Sequence, residues 1–492
     1  MRIRTAVIDG LEARSAEVVV ERRTHTGPWR LEIPGAPAQA AQRTAERVLN
    51  ALRRSNVWPA AGTFSVLVTP ESETGIDLHD LPITLGVLVA AGQIDAAELE
   101  STLSVGALDP LGKLAAVSGM FPIAGLSARL SRELVGPAGQ RTEAAWAGPL
   151  KALLRHDLGA LLQAIREGSG AETIGPITAN PGRAPKPEAP VAGHAEAKRA
   201  LEIAVAGGHP LLIHSDGRSP IHRLCRQAAQ WPGPLLADEW EALTTTRAIA
   251  GLLDPEETGR RERPFRAPHH TVSAGSIAGK SNGSRSYNEG RTARRSRPGE
   301  AALAHGGMLY LDEVDRFHRD AVRPLQSACS HGVTGNANET MPADIILIGN
   351  LQSEAGDARP TGTRRLSEKH PLQDTFQCAV HVPYEAWTGA GSEEAGNEDR
   401  HRCLRIRMAR DSQQRRYHGE TTNGRAYRRA LLNEGRAGDD ALRHIRDMDR
   451  RLGAKRTTDA IRIARTIADL RGNYKTARAD LVTAERMVQG PA

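Results

Sequence analysis

The feature that most constrains the fold is a short apolar strand ending in two acids, within the segment GGMLYLDEVDRF at residues 306–317. In a P-loop ATPase, this Walker-B pattern places the first acid, here Asp312, on Mg²⁺ and the second, Glu313, beside the attacking water. A buried strand that ends in a solvated Asp-Glu turn accounts for the same letters, because two acids after a strand are common. The pattern therefore has to be judged together with a phosphate cradle upstream.

A second apolar strand, HPLLI at residues 209–213, precedes Asp312 by about 100 residues, which is where such a cradle belongs. The cradle pattern is G-x-x-x-x-G-K-[ST], whose backbone N–H groups and lysine neutralise phosphates and whose hydroxyl binds Mg²⁺. The loop after the strand reads HSDGRSPIHRL, with Gly217 where an internal glycine is common. The outer glycines, the lysine and the hydroxyl residue of the pattern are replaced by His214, Ser219, Pro220 and Ile221.

Each replacement acts directly on the phosphate contacts. Pro220 has neither an ammonium group nor a backbone N–H, and Ile221 has no oxygen for Mg²⁺. His214 and Ser219 hinder the tight backbone turn that glycine permits. Arg218 offers a compensating charge only from a shifted position. The cradle is therefore degenerate, and the sequence leaves open whether nucleotide still binds.

The rest of the chain divides by composition. Residues 1–167 alternate strand and helix patterns and predict an α/β domain, and residues 168–190, rich in Pro, Gly and Ala, predict an exposed linker. Residues 191–388 contain both motif strands and predict a second α/β domain. After a Gly-rich break, residues 396–492 have an almost wholly helical pattern. We therefore expect an α/β multidomain protein with a helical C-terminal domain.

The positive charge is concentrated at the C-terminal end. Residues 396–492 contain 23 Lys and Arg against 13 Asp and Glu, whereas the whole chain has a net charge of only +7. The segment at residues 280–297 adds six basic residues and one acid. Both regions predict contact with a polyanion such as DNA. Solvated helix faces and a neutral loop insertion are the alternative explanations.

Neither membrane insertion nor a zinc site or disulfide framework is indicated. No apolar run approaches the ~18 residues of a spanning helix, and the N-terminus lacks the apolar stretch of a signal peptide. The four cysteines are scattered, without a C-x-x-C pair. His269 and His270 are adjacent but have no Cys or carboxylate at ligand spacing, so hydrogen bonding or packing is favoured. We expect a cytoplasmic protein.

Longer segments carry a family resemblance that spans most of the chain. RPFRAPHHTVS is similar to the signature R-P-F-R-x-P-H-H-S, and PGEAALAHGGMLYLDEVDRF is similar to P-G-E-x-x-L-A-H-x-G-V-L-F-L-D-E. RIARTIADLRG is similar to a V-A-R-T-I-A-D-L helix, and GHAEAKRALEIAVAGGHPLLI to the stretch that leads into a P-loop. Near the N-terminus, DLPITLGVLVAAG and VGALDPLGKLAAVSG also match. The chain thus resembles the magnesium-chelatase-like AAA+ family of the ComM/YifB competence-protein type.

The resemblance implies a ribosomal-S5/Lon-like N-terminal domain, an AAA+ P-loop-type core and a helical C-terminal lid. It also implies a hexameric motor that uses ATP and Mg²⁺ to promote DNA branch migration during natural transformation. Asp312 and Glu313 match the family's Walker-B pair, with Asp312 as the Mg²⁺ residue. Asn350, at the end of the strand DIILIGN, matches the sensor that orients the attacking water.

Other family positions have changed. Thr375 stands where the arginine finger is expected, Lys455 replaces the sensor Arg of the lid, and Asp459 replaces another Arg of that helix. An arginine finger is typically worth ~10³ to 10⁵ in rate. The loss of these groups predicts a protein of the family that no longer hydrolyses ATP. An active motor with an atypical P-loop, and a non-catalytic subunit of a homo- or hetero-hexameric ring, are the alternatives.

If the nucleotide site is lost, the two acids need other partners. Polar groups at a closed strand end are normally hydrogen-bonded. Backbone N–H groups, Arg218 and Lys455 are the donors predicted for Asp312 and Glu313.

Overall fold

The computed structural model describes residues 1–24, 27–36, 38–58, 61–69, 76–175, 191–216, 219–254, 261–280, 297–336, 339–353, 366–383, 393–433 and 436–490. Two predicted nucleotide-site residues, Gly217 and Arg218, lie outside these stretches. So do residues 281–296 of the basic segment and residues 176–190 of the predicted linker.

The chain forms two compact units. Unit 1 comprises Met1–Gly182, Thr244–Arg260 and Ser281–Arg297. Unit 2 comprises Arg183–Leu243, Arg261–Lys280 and Pro298–Ala492. Both motif strands and the helical C-terminal region therefore belong to unit 2. The domain boundaries drawn from composition stay predictions.

Unit 1 alternates short strands and helices. Its strands are β1 (Arg2–Asp9), β2 (Glu12–Arg23), β3 (Arg30–Glu32), β4 (Thr63–Thr69), β5 (Thr102–Ser104), β6 (Ala107–Leu108), β7 (Leu114–Ala115), β8 (Glu133–Pro137), β9 (Leu150–Arg155) and β10 (Glu172–Ile174). Its helices include α1 (Ala38–Arg54), α2 (Asp80–Ala90), α3 (Met120–Arg129), α4 (Arg141–Ala145) and α5 (Leu158–Arg166). Two four-stranded sheets have the orders β1-β2-β4-β3 and β10-β9-β8-β5. The mixed α/β character predicted for this region is confirmed.

A buried polar cluster lies at the start of α2. The Asp80 side chain has no exposed surface, and its carboxylate accepts hydrogen bonds from Arg47 at 2.7 and 3.0 Å. The Leu108 N–H donates to the same carboxylate at 3.1 Å. The neighbouring His79 is buried, with Nδ1 lying 3.3 Å from Thr5 Oγ1. Burial lowers the pKa of His79 to about 4, so its imidazole is neutral at neutral pH.

Unit 2 is built on a five-stranded sheet followed by long helices. Its strands are β11 (Leu211–Asp216), β12 (Phe265–Arg266), β13 (Met308–Leu311), β14 (Val333–Asn336), β15 (Glu339–Pro342), β16 (Ile346–Ser353) and β17 (Cys378–Val382). Its helices include α6 (Ala195–Gly207), α7 (Ile221–Ala228), α8 (Ala237–Ala250, which begins in this unit), α9 (Ala274–Ala278), α10 (Glu300–Leu303), α11 (Arg319–Val322), α12 (Leu325–His331), α13 (Glu393–Tyr417), α14 (Arg428–Leu432), α15 (Asp439–Leu470) and α16 (Arg478–Gln489). None of the helices in the described stretches combines the length and apolar character that crossing a bilayer requires.

The sheet has the order β12-β13-β16-β11-β17, and all five strands are parallel. Their carboxyl ends therefore meet at one edge, where ligands bind in open α/β sheets. The α/β core predicted from the two motif strands is confirmed. One detail is wrong: β16 continues to Ser353, so Asn350 lies within the strand instead of at its end.

The C-terminal helices are joined through a buried carboxylate, Asp469. Arg416 donates to it at 2.5 and 2.8 Å, and Arg465 donates at 2.9 and 3.2 Å. Asn423 donates to the same carboxylate at 2.8 Å. Arg465 and Asp469 both belong to the segment RIARTIADLRG, so this family motif has a structural role here.

The same cluster extends to the residues that precede β11. Asn423 Nδ2 also donates to Thr466 Oγ1 at 3.0 Å, and that hydroxyl lies 2.7 Å from His209 Nε2. The other ring nitrogen of His209 lies 2.7 Å from Gln377 Oε1, at the start of β17. Hydrogen bonds therefore connect the lid helices continuously to the sheet.

The buried His79 predicts that unit 1 loses stability in mild acid. The folded-state pKa of about 4 lies below the ordinary value of 6.5, so the unfolded chain takes up the proton first. The contribution of neutral His79 to the free energy of unfolding is complete above about pH 6.5. It is lost as the pH falls toward 4, which lowers the free energy of unfolding by about 3 kcal/mol. Urea unfolding at pH 7 and pH 4.5 should show a smaller loss in His79→Asn than in the parent. The exposed control His401→Asn should behave as the parent, and an equal loss in all three proteins would contradict the prediction.

Candidate functional site

Asp312 lies in a hydrogen-bonded row of side chains from three neighbouring strands. Ser215 of β11 donates to Asn350 Oδ1 at 2.8 Å, and Asn350 Nδ2 donates to Asp312 Oδ1 at 2.9 Å. Gln352, two residues further along β16, donates to the same oxygen at 2.9 Å. β16 reaches both sides because it lies between β13 and β11. The structure thus brings together Asp312 and Asn350, which the family resemblance assigns to one site.

A third donor to Asp312 is the hydroxyl of Tyr310, at 3.0 Å from Oδ1. Residues two apart on a strand face the same side, which places this hydroxyl beside the carboxylate. Burial raises the pKa of Tyr310, so the hydroxyl keeps its proton and donates it. The family pattern G-V-L-F-L-D-E has Phe at this position, so the hydroxyl distinguishes this chain. Sequence reasoning missed Tyr310 and Gln352; the Tyr for Phe exchange is the signal that indicates the first.

Of the donors predicted for the two acids, Lys455 is wrong and Arg218 lies outside the described residues. The donors found within the described stretches are side chains and not the predicted backbone N–H groups. Lys455 Nζ pairs with Asp374 at 3.4 Å, and both side chains are mostly exposed. Arg218 is the residue outside the described stretches. Glu313 has a left-handed backbone, with φ 49°, and its carboxylate lies 3.1 Å from Arg316 Nη1. Both acids therefore have protein partners, but Asp312 takes them from neutral side chains.

Two histidines lie close to Glu313. His270 Nδ1 is 3.8 Å from Glu313 Oε2, and the His269 and His270 rings have centroids 4.1 Å apart. His270 also meets the ring of Phe317 edge-on, at 6.4 Å. Within the described stretches, no three His, Cys, Asp or Glu side chains form a group that holds a metal ion. These contacts favour the packing role predicted for the two histidines.

β11 extends further than the sequence predicts. His214 and Ser215 belong to this strand and pair in register with Leu351 and Gln352 of β16. His214 was expected at the first glycine position of the phosphate cradle, where the chain turns. The placement is corrected by the structure, because the parallel pairing keeps the backbone extended through Asp216.

The backbone donors before α7 are used within the chain. The Ser219 N–H donates to Asp216 O at 2.9 Å, and the Ile221 N–H donates to Ser219 O at 2.8 Å. Pro220, which precedes the helix, has no N–H. In a phosphate cradle, the N–H groups at these positions point at the ligand. These three positions therefore offer no backbone donor to a phosphate.

The side chains give the same result. Ile221, at the position of the Mg²⁺-binding hydroxyl, is 1% exposed and packs in the hydrophobic core of unit 2. One oxygen of the Asp312 carboxylate, Oδ1, already accepts three hydrogen bonds from protein side chains. The described residues therefore do not fit ATP and Mg²⁺ in the manner of the family.

The substituted finger and sensor residues lie elsewhere in unit 2. Thr375 is half-buried and follows Asp374, the partner of Lys455. Asp459 is buried, and burial raises the pKa of its carboxyl. Among the described residues, no hydrogen bond or ion pair is found between these side chains and the Walker-B acids.

The family signatures contain residues that pair with one another. Arg266 of the RPFR motif forms two hydrogen bonds with Glu300 of the PGE motif, at 2.7 and 2.8 Å. Arg263 of the same motif is buried and pairs with Glu239 at 2.8 and 3.1 Å. These motifs therefore stabilise unit 2 whether or not a nucleotide is bound.

The three donors to Asp312 predict unequal effects for two substitutions. Asp312→Asn keeps a carbonyl oxygen as acceptor, so the free energy of unfolding should change by less than about 1 kcal/mol. Asp312→Ala leaves Tyr310 and Asn350, both buried, without this acceptor and should cost roughly 2–4 kcal/mol. Chemical denaturation of both variants measures the difference. Equal destabilisation by the two substitutions would contradict the structural role.

Comparison with known families agrees with this geometry. A family model described as magnesium chelatase, subunit ChlI, matches residues 189–369, which contain the five-stranded sheet up to β16. A second model, described as subunit ChlI of Mg-chelatase, matches residues 20–139 in unit 1. The two matches keep the order of the segments that carry the sequence resemblance.

Full-length relatives show the same similarity. Protein YifB of Salmonella typhimurium, itself uncharacterized, is 27% identical over 485 residues, covering 94% of this chain and 92% of that protein. Competence protein ComM of Haemophilus influenzae is 25% identical over 500 residues, covering 95% of this chain and 93% of that protein. An uncharacterized protein of Mycobacterium tuberculosis is 27% identical over 490 residues, covering 95% and 94%. The chain therefore belongs to the magnesium-chelatase-like AAA+ family that includes ComM and YifB.

Proposed function

We propose that this chain is a ComM/YifB-like AAA+ protein with a DNA-related role that has lost ATP hydrolysis. The observation that carries this proposal is the state of the segment before α7. Its N–H groups at Ser219 and Ile221 donate to the chain itself, and Pro220 has none. Phosphoryl transfer depends on positioning and on neutralising the phosphate charge. A loop that lacks these N–H donors, the P-loop lysine and the Mg²⁺-binding hydroxyl can neither position the phosphates nor neutralise their charge.

The other substituted positions support the same proposal. Thr375 has no positive charge to offer a neighbouring subunit, and the Lys455 ammonium is paired with Asp374. Glu313 is the glutamate that the family has at the catalytic position, but its carboxylate is paired with Arg316. A general base has to be positioned beside a water that the phosphate itself holds in line. Glu313 and Asn350 therefore match the family's site residues, but on this proposal they have no bound phosphate and water on which to act.

The proposal predicts no Mg²⁺-dependent ATPase activity above background, with or without DNA. Glu313→Gln should then leave the measured rate unchanged, because this residue has no reaction to assist. Phosphate release from the purified full chain, compared with Glu313→Gln, measures this directly. Turnover that disappears in Glu313→Gln would show that the active motor with an atypical P-loop is the correct reading.

One observation favours a second candidate, nucleotide binding without the usual cradle. The Ser219 hydroxyl is buried and has no hydrogen-bond partner among the described residues. A ligand that binds the native state raises its stability by RT ln(1 + [L]/Kd), which is about 2.7 kcal/mol at a hundredfold excess over Kd. We expect no rise in melting temperature with millimolar Mg²⁺–ATP. A rise of several degrees that Asp312→Asn abolishes would favour this second candidate.

The DNA part of the proposal rests on charge. Residues 396–492 contain 23 Lys and Arg against 13 Asp and Glu, and the segment at 280–297 adds six basic residues. The relative ComM is named a competence protein. A family member with intact structural motifs and an altered nucleotide site suits a ring formed with its own copies or with an active relative. The basic residues of segments 396–492 and 280–297 are then the parts of the chain that contact DNA.

Contacts with DNA phosphates predict binding that depends steeply on salt and hardly on sequence. The logarithm of the binding constant should fall linearly with the logarithm of salt concentration, by about 0.9 per phosphate neutralised on duplex DNA. Fluorescence anisotropy with two unrelated duplexes over a salt series measures both properties. Binding that persists unchanged at high salt, or no binding at low salt, would contradict the proposed DNA role.

A further inference from the structure

The turn between α15 and α16 is an exposed basic surface with a rigid backbone. α15 ends at Leu470, and two residues later Gly472 has φ 72° and donates to Asp469 O at 3.0 Å, while the Asn473 N–H donates to Ala468 O at 2.9 Å. This is the glycine-terminated helix end that fixes the direction of the following chain. Residues 471–475 are all exposed, although their backbone is held in place.

A buried arginine holds this turn from below. Arg465 is 1% exposed, and its guanidinium donates to Tyr474 O at 2.6 Å and to Thr476 Oγ1 at 3.3 Å, besides donating to Asn473 O. The Thr476 N–H in turn donates to Arg436 O at 2.7 Å. The ring of Tyr474 projects from this fixed backbone and is 65% exposed.

A second exposed tyrosine, Tyr427, directly precedes α14 and is held by α15. Arg462, three residues before Arg465, donates to Ala426 O at 3.0 Å and so holds the residue next to Tyr427. Arg462 and Arg465 belong to the same stretch of α15, so one helix holds both tyrosine-bearing segments. Tyr427 is 83% exposed. The other tyrosines in the described stretches, Tyr310 and Tyr417, are buried.

Cations without partners flank the two rings. Arg429, Lys475 and Arg478 are exposed and have no ion-pair partner among the described residues. Arg471, by contrast, is neutralised by the buried Asp480 at 2.6 Å. Exposed aromatic rings offer flat surfaces for stacking, and only 3% of this chain is aromatic. Their placement beside unpaired cations suits a ligand with both flat rings and negative charge.

We propose that Tyr427, Arg429, Tyr474, Lys475 and Arg478, the tyrosine surface, bind single-stranded DNA, a proposal that rests on the DNA role proposed above. The two rings stack on unpaired bases, and the three cations contact the phosphates. Stacking on aromatic side chains requires bases that are free of a duplex and tolerates any sequence. The rigid turn lowers the entropic cost of binding because its backbone is ordered beforehand.

The test compares a fluorescent oligothymidine with a duplex of the same length, using the full chain and anisotropy. Tyr427→Ser combined with Tyr474→Ser should weaken oligothymidine binding by roughly tenfold or more, because stacking is lost at two positions, and should leave duplex binding unchanged. Tyr427→Phe with Tyr474→Phe keeps the rings and should bind as the parent. Melting curves should be unchanged, because both side chains are exposed.

The charge contribution has a matched control. Lys475→Glu with Arg478→Glu should weaken binding and lower its salt dependence by about 0.7 per lost phosphate contact on single strands. Arg446→Glu with Arg450→Glu makes the same change in net charge at exposed residues of α15 outside the tyrosine surface, and should have a smaller effect.

Three results would overturn the inference in distinguishable ways. If the parent binds DNA but the serine variants bind oligothymidine equally well, or lose duplex binding to the same extent, the tyrosine surface is not a stacking site and the DNA role stands. Equal losses in the two charge-reversal variants would likewise show that binding is not localised here. If the parent binds neither oligothymidine nor duplex at low salt, both this inference and the proposed DNA role fail.

Discussion

The arrangement of unit 2 depends on the burial of one carboxylate, Asp469. A carboxylate removed from water is stable only when cations and hydrogen-bond donors surround it. Arg416, Arg465 and Asn423 supply them from three separate parts of the C-terminal region. Removing one partner of such a buried pair typically costs about 3–5 kcal/mol. The same cluster reaches His209 before β11 and the turn after α15, so the C-terminal helices, the sheet and the turn that bears Tyr474 share one set of supports.

The residues that this chain shares with its family differ in kind from those it has lost. The shared ones, such as the Arg266–Glu300 pair, bind each other and stabilise the core. The altered ones, Pro220, Ile221 and Thr375, stand where the family resemblance places nucleotide contacts. A fold and the site it carries are separable, since the groups that hold each are different side chains. This separation explains how a protein of this family keeps its architecture while its nucleotide site changes.

Asp312 has structural partners that do not depend on a bound ligand. The carboxylate accepts hydrogen bonds from Tyr310, Asn350 and Gln352, and buried donors that lose their acceptor cost more than the bond itself contributes. The Tyr310 hydroxyl, where the family pattern has Phe, adds a donor that belongs to this chain. The row from Ser215 to Gln352 is therefore a structural element at the sheet edge, and retention of its acid is not by itself a sign of hydrolysis.

The sequence by itself determined the family, the α/β core, the helical C-terminal region and the chemical defects of the cradle, because apolar periodicity and the absence of a lysine or an N–H are local properties. It misplaced His214 and the end of β16, since strand ends depend on pairing with neighbours that are distant in the chain. It also assigned Lys455 to the wrong partner, because a long surface side chain pairs with whichever acid the fold brings near. Only the tertiary structure decided that Asn350 and Gln352 donate to Asp312 and that Arg462 holds the segment bearing Tyr427. Those hydrogen bonds join residues 36 to 40 positions apart, and no local pattern encodes them.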